Sequence, residues 1–233
     1  MDENTVAPVP EPETSTAPGW FGKIPALGDF ATRRLPHEFT DMWDAWLAES
    51  IEASHEALGS AWRATYLRAP IWRFALAPEV IDERFWFGVL MPSVDRVGRN
   101  FPLTIATPAA HPPRPPFAVL ENWFERVAGA ALGCLAPEAT AEQLETALAA
   151  ITPFDFVPFD APLVIGDDAM TRVSTVQGVD VAFARAATIL LLRELQGTTM
   201  WWARFESETA PNIVVSRGLP QPQTFARLLD GTL

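Results

Sequence analysis

Residues 85–107 read FWFGVLMPSVDRVGRNFPLTIAT, and this stretch decides the fold. Its two apolar ends, Phe85–Met91 and 101–107, are rich in aromatic and β-branched side chains and predict two β-strands. The polar segment between them, 92–100, predicts a loop. A similar apolar run at 72–77 predicts a third strand just upstream. Because consecutive strands usually pair, we expect these three strands to be neighbours in one sheet.

A helix is expected over residues 36–58, between the opening of the chain and the first of these strands. Apolar side chains recur there at steps of three and four, which places them on one face of a helix. Pro36 suits the first turn of this helix, and Gly59 suits its end. The residues of the predicted apolar face are Phe39, Met42, Trp43, Trp46, Leu47 and Ile51.

The rest of the chain contains both helical and strand patterns. Thr140 and Gln143 have the spacing of a capping box at the start of a helix. Strands in two groups with helices between them favour a mixed sheet covered on both faces, in a single α/β domain. The predicted helices lie at 117–135, 140–151, 179–196 and 224–229, and the predicted strands at 163–165, 199–205 and 212–216.

Composition limits the classes of function. The net charge of −12 argues against sequence-independent binding to nucleic acid and against an anionic membrane surface. No run reaches the roughly 18 apolar residues that span a bilayer, so we expect no membrane insertion. Residues 1–18 are acidic and proline-rich and predict a disordered tail before a folded domain at 19–233. This tail lacks the regions of a secretory signal, so we expect a cytoplasmic protein.

Signatures of catalysis and of cofactor binding are missing from the sequence. It contains no phosphate-binding loop, no G-x-S-x-G nucleophile and no histidine pair at metal-ligand spacing. Asp167 and Asp168 could form half of a two-metal site, but a turn is the commoner setting for such a pair. Cys134, the only cysteine, lies in an apolar run that indicates a buried, inert thiol. We therefore expect no catalytic residue, no metal and no cofactor. The three histidines, expected to be exposed, are His37, His55 and His111.

Two segments are more specific than ordinary turns. The first, residues 19–30, reads GWFGKIPALGDF, and its glycines, proline and aspartate favour a bend with close backbone approach. The second, residues 88–103, carries charged side chains in a loop between two buried strands. The candidate motif and interaction residues in the two segments are Gly22, Pro25, Gly28, Asp29, Ser93, Asp95, Arg96 and Arg99.

The charged side chains of the second segment can serve in either of two ways. An arginine fork beside Asp95 can bind a carboxylate or phosphate of a partner, or it can tie the loop to itself. An arginine near two strand ends is partly desolvated and needs a carboxylate, and Asp95 is the nearest one. The internal tie is therefore favoured, and we expect the loop to be structural first and interactive second.

Both segments belong to a larger set of sequence blocks. WFGKIPALGDF at 20–30 opens the set, APIWRF at 69–74 follows, and SVDRVGR at 93–99 is the most specific block. The last blocks, at 201–202 and 217–231, include WW, RGLP and LLDG. Together these blocks resemble the TagF family of type VI secretion-associated proteins, with a divergent middle between them.

This resemblance implies a three-layer αβα sandwich and a non-enzymatic role as post-translational repressor of type VI secretion. It also implies a partner, the forkhead-associated scaffold protein of that system. Some family members are fused to a serine/threonine phosphatase, whose metal-binding G-D-G pattern is missing from this sequence. Two alternatives stay open: a structural subunit of the secretion apparatus, and a hydrolase that uses Asp95 or the Asp167–Asp168 pair.

Overall fold

The computed structural model describes residues 16–109, 118–153, 193–203 and 213–232. The strands in these ranges are β1 Gly19–Gly22, β2 Ala31–Arg33, β3 Trp72–Leu76, β4 Phe85–Met91, β5 Leu103–Ala109, β6 Thr198–Ala203 and β7 Val214–Arg217. They form one sheet in the order β2-β1-β5-β4-β3-β6-β7, and every pairing is antiparallel. The predicted mixed sheet is therefore wrong for the described strands. Short loops join β3, β4 and β5, whereas parallel neighbours need a longer crossover.

Helices pack on both faces of this sheet, which makes the architecture α/β. The described helices are α1 His37–Leu58, α2 Trp62–Tyr66, α3 Ala118–Gly133, α4 Ala141–Ala149 and α5 Phe225–Asp230. Side chains of α1, α2 and α5 share one buried cluster with the sheet, and side chains of α3 and α4 share another. The two clusters lie on opposite faces, because successive residues of β3 alternate between them. None of the described helices is long and apolar enough to cross a membrane.

The buried cluster beneath α1 is rich in aromatic rings. Trp43 is fully buried, and its ring centroid lies 4.9 Å from that of Phe74 and 6.1 Å from that of Trp201. The Trp43 indole N–H donates to Oγ1 of Thr104 at 2.8 Å, and the indole of Trp46 donates to a backbone carbonyl at 2.7 Å. Because these donors have partners, the rings can be buried without the cost of an unsatisfied N–H group.

Charged side chains help to hold α3 and α4 against the other face. Arg73 of β3 is 6% exposed and donates to Glu121 at 2.5 Å and to Glu125 at 2.9 Å, both on α3. Glu145 of α4 accepts a hydrogen bond from the indole of Trp20 at 2.5 Å. These long-range contacts connect α3 to β3 and α4 to β1.

The helix predicted over 36–58 is confirmed as α1, which ends at Gly59. Two details differ from the sequence analysis. Pro36 is the N-cap, in extended backbone with φ −70° and ψ 159°, and does not belong to the first turn. Met42 is 42% exposed, because it lies at the edge of the apolar face rather than within it.

Most of the other predicted elements that fall in the described ranges are present. The three strands expected to be neighbours are β3, β4 and β5, and they pair as predicted. The capping box of Thr140 and Gln143 is formed at the start of α4. The sequence pattern does not predict β1 and β2, since strands of four and three residues are too short to show a period. The predictions that lie outside the described residues are the strand at 163–165, the helix at 179–196 up to residue 192, and the tail up to residue 15.

Candidate protein-interaction surface

Two loops meet at one end of the sheet. The strand β1 leads at Gly22 into the loop 23–30, and β4 leads at Met91 toward the loop 93–100. Gly22 and Met91 both pair with Leu103 of β5, one from each side of that strand. The loops therefore start from aligned positions. The two segments that the sequence singled out form one surface, although residues 31–87 separate them in the chain.

The loop 23–30 is bent where the sequence predicts a bend. Pro25 lies in a turn that is closed by the amide of Leu27, which donates to the carbonyl of Ile24 at 3.0 Å. Asp29 is exposed, and its Oδ1 accepts a hydrogen bond from the amide of Phe30 at 2.9 Å. This local bond orients the backbone just before β2 begins.

The loop 93–100 folds around the carboxylate of Asp95, which is 2% exposed. Its Oδ1 accepts hydrogen bonds from the amides of Val97 at 3.0 Å and Arg99 at 2.9 Å. Its Oδ2 accepts from Nε of Arg99 at 2.6 Å and lies 3.4 Å from Nζ of Lys23. The internal tie is present, but burial is the reverse of the expectation. The carboxylate is the buried group, while the Arg99 side chain is 58% exposed.

The surroundings of Asp95 hold its pKa at about 2, below the usual 3.8. Burial by itself raises this pKa. Hydrogen bonds from the amide and side chain of Arg99 and from the amide of Val97, together with the charge of Arg99, outweigh the burial. A carboxylate with so low a pKa is a poor general base near neutral pH. Asp95 is therefore a structural anion.

Hydrogen bonds also join the two loops directly. The amide of Arg96 donates to the carbonyl of Leu27 at 2.8 Å, and the guanidinium of Arg99 donates to the carbonyl of Gly28 at 2.6 Å. Gly28 lies against Arg96, since an added Cβ would be 3.3 Å from that guanidinium. Gly22 has φ 128°, and an added Cβ would collide with the backbone that enters β5. Only glycine fits at this second position.

Helix α2 supports the start of the loop 93–100. The hydroxyl of Tyr66 donates to the carbonyl of Ser93 at 2.8 Å and accepts from the Ser93 amide at 2.9 Å. Burial raises the pKa of Tyr66, so this hydroxyl stays protonated. The Ser93 side chain is buried, and among the described residues its Oγ has no hydrogen-bond partner. Ser93 therefore contributes to the loop through its backbone, which binds the Tyr66 hydroxyl.

Two apolar side chains project to solvent from this framework. Phe30 is 46% exposed, with its ring centroid 4.6 Å from that of Phe101 and 4.6 Å from Nζ of Lys23. Val97 is 71% exposed. The sequence analysis did not select either residue, because only the fold decides which apolar side chains are left uncovered. The position of Val97, an apolar residue inside a charged loop, was a signal in the sequence that could have indicated an exposed apolar side chain.

The other residues considered from the sequence do not join this surface. His37 and His55 are exposed, and His55 stacks on Trp62 with centroids 3.6 Å apart. Cys134 is buried, and burial raises its pKa to about 11, as expected for an inert thiol. Within the described ranges, no three His, Cys, Asp or Glu side chains are grouped to hold a metal ion. The candidates outside those ranges are Asp167, Asp168 and His111.

Comparison with known proteins identifies a family and a solved structure of similar fold. Residues 19–151 match a family model described as the TagF N-terminal domain, type VI secretion system-associated. The fold is similar to the crystal structure of PA0076 from Pseudomonas aeruginosa PAO1, determined at 2.05 Å resolution. That similarity has a TM-score of 0.75 and 34% sequence identity, and it covers 92% of this chain and 94% of the other. Among curated proteins there is no match.

Proposed function

Because the chain belongs to the TagF family of type VI secretion-associated proteins, we propose that it represses type VI secretion by binding a protein of that system. The proposed partner is the forkhead-associated scaffold protein, in line with the resemblance seen in the sequence. The observation that carries this proposal is the family match over residues 19–151, since that range contains both loops of the candidate surface.

The geometry supports binding because the two loops form a rigid platform. A buried carboxylate, Asp95, gathers Lys23 and Arg99 and closes one loop against the other. The backbone that carries the exposed side chains of Phe30 and Val97 is thereby bonded in place before any partner arrives. Preorganisation of this kind lowers the entropy lost on association. In our proposal the protein acts stoichiometrically, by sequestering its partner.

We propose a non-enzymatic role. The main titratable group of the surface, Asp95, is ionised and fully engaged by its donors, so it offers neither a free nucleophile nor a base. The ionisable side chains beside it serve the same network, since Lys23 and Arg99 are its counterions. This arrangement favours a binding surface over the hydrolase alternative that uses Asp95.

We also propose where the protein works and how its domain is built. We propose a cytoplasmic protein whose segment 19–233 forms a single three-layer αβα sandwich around the antiparallel sheet. Support comes from the two buried clusters on opposite faces of the sheet and from the similarity to PA0076 over 92% of the chain.

A secretion assay tests the proposed function. Deleting the gene in its host should raise secretion of the tube protein of the type VI system, and overexpression should suppress it. Restoring the deletion strain with the parent gene is the control. Unchanged secretion in both strains would rule out repression.

A second assay separates a repressor from a structural subunit. A subunit should co-purify with assembled secretion particles, whereas a sequestering repressor should be depleted from them and should bind purified scaffold protein. Recovery of the chain in particles at a constant ratio would favour the subunit.

A further inference from the structure

We infer that the loop surface, formed by Phe30, Arg96, Val97 and Arg99, binds an acidic segment of the partner that also carries an exposed apolar side chain. This inference rests on the proposed function and goes beyond it by naming the contact residues and the chemistry of the partner. The four residues come from loops that the sheet brings together, and all four side chains are exposed.

Charge indicates an acidic partner. The whole chain has a net charge of −12, yet the two loops carry three cations, Lys23, Arg96 and Arg99, against the carboxylates of Asp29 and Asp95. The charge of Asp95 is buried and shared by Lys23 and Arg99, so little of it reaches solvent. Arg96 is exposed and has no carboxylate partner among the described residues. Three cations against two carboxylates leave the two loops with a net charge of +1, in which Asp29 is the exposed carboxylate and Arg96 the unpaired cation. This local positive charge attracts an acidic segment.

Exposed apolar area indicates that the partner also supplies an apolar side chain. Phe30 and Val97 are 46% and 71% exposed. Val97 lies between Arg96 and Arg99 in its loop, and Phe30 ends the other loop, which Arg96 and Arg99 contact through hydrogen bonds to Leu27 and Gly28. Aromatic side chains and arginine are enriched at protein interfaces, and they are the commonest residues to dominate binding energy. The ring of Phe30 and the two guanidinium groups match this pattern, and Val97 adds exposed apolar area beside them.

The backbone beneath the loop surface is fixed before binding. The amide of Arg96 is bonded to Leu27, and the amides of Val97 and Arg99 are both bonded to Asp95. The backbone amides of Arg96, Val97 and Arg99 therefore already have hydrogen-bond acceptors within the protein. Only side-chain rotamers remain to be ordered on association, which favours a tight, specific contact.

Binding of the purified forkhead-associated scaffold to the full chain tests the inference. The test variants are Arg96→Glu and Val97→Asp, because neither side chain takes part in the Asp95 network. Matched controls lie on β7, at the opposite edge of the sheet: Arg217→Glu, also an exposed arginine, and Val215→Asp, where the valine is 62% exposed. Thermal unfolding of all four variants establishes that each is folded at the assay temperature.

Each test variant should weaken binding by about tenfold or more, while the controls bind like the parent. Parent affinity should fall as salt rises from about 50 mM to about 500 mM, and Arg96→Glu should flatten this dependence. Parent-like binding by both test variants would overturn the inference and leave the proposed function standing. No binding by the parent chain would overturn both.

A further full-length variant identifies the occupant. The chain's own segment 1–15 is also acidic, and the variant neutralises it through Asp2→Asn, Glu3→Gln, Glu11→Gln and Glu13→Gln. Unchanged scaffold affinity and salt dependence would support an acidic partner segment. Tighter binding with the salt dependence lost would assign the loop surface to the tail instead, and would overturn the choice of partner.

Discussion

The aromatic cluster beneath α1 and the pair of loops around Asp95 are stabilised by opposite kinds of interaction. The cluster buries rings such as Trp43 and Trp201 and contains no ion pair among its members. The loops gather Lys23 and Arg99 around one carboxylate at the end of the same sheet. Burial of rings involves no titration and is not screened by salt, whereas ion pairs respond to pH and to screening. The two regions should therefore respond differently to salt and pH, since the loops depend on ion pairs and the aromatic cluster does not.

The largest effect should come from the core. Trp43→Ala removes a fully buried ring and leaves Thr104 without its indole donor, so we expect a loss of about 3–5 kcal/mol in the free energy of unfolding. Denaturant titration measures this loss. The matched control is Met42→Ala, one position earlier and 42% exposed, which should cost far less. Equal losses for the two variants would break the contrast between core and surface.

The next largest effect should come from Asp95→Asn. Asparagine removes the charge that Lys23 and Arg99 share and turns an NH₂ group toward their donors, so the melting temperature should fall. The fall should be smaller than for Trp43→Ala. The control is Asp82→Asn, which breaks an ion pair with the partly exposed Arg84 and should cost less. A melting temperature equal to that of the parent would show that the network does not stabilise the fold.

Acid should erase the difference between the parent and Asp95→Asn. The pKa of Asp95 is lowered from 3.8 to about 2 in the folded protein. A lowered folded-state pKa contributes stability that is fully present above 3.8 and is lost as the pH falls toward about 2. Melting curves of both proteins across this window should therefore converge. Other carboxylates with lowered pKa, such as Glu145, titrate in both proteins and cancel in the difference. A gap that stays constant down to the lowest pH would contradict the assignment.

The smallest effect on stability should come from Arg96→Ala. The side chain is exposed and only its backbone amide joins the loops, so the free energy of unfolding should change by no more than about 0.5 kcal/mol. The companion Arg99→Ala should cost more, because that guanidinium bonds both Asp95 and Gly28. Calorimetry of the two variants sharpens the comparison. Equal losses would mean that Arg96 is structural too, and that its role in binding cannot be separated.

Local pattern was enough to predict the larger elements. The steps of three and four over residues 36–58 place one side of α1 inward, and apolar runs identify β3, β4 and β5. Each prediction needed only the period of neighbouring residues, which a single segment carries. The same reasoning did not find β1, which pairs with β5, or β2, which pairs with β1. Pairing with a neighbour holds both strands, rather than any pattern of their own. Strand direction also depends on partners, and for the described strands the predicted mixed sheet is wrong.

The features of the candidate surface also divide into those that the sequence predicts and those that depend on packing. By itself the sequence determined that segments 19–30 and 88–103 are specialised, because glycines, a proline and clustered charges are read from neighbouring residues. Only the tertiary structure decided that Asp95 is buried, that Lys23 reaches it from the other loop, and that Phe30 and Val97 face solvent. These facts depend on β5, which pairs with both β1 and β4 and so brings distant loops to one end of the sheet. Exposure and long-range ion pairing are properties of packing, and a linear pattern does not contain them.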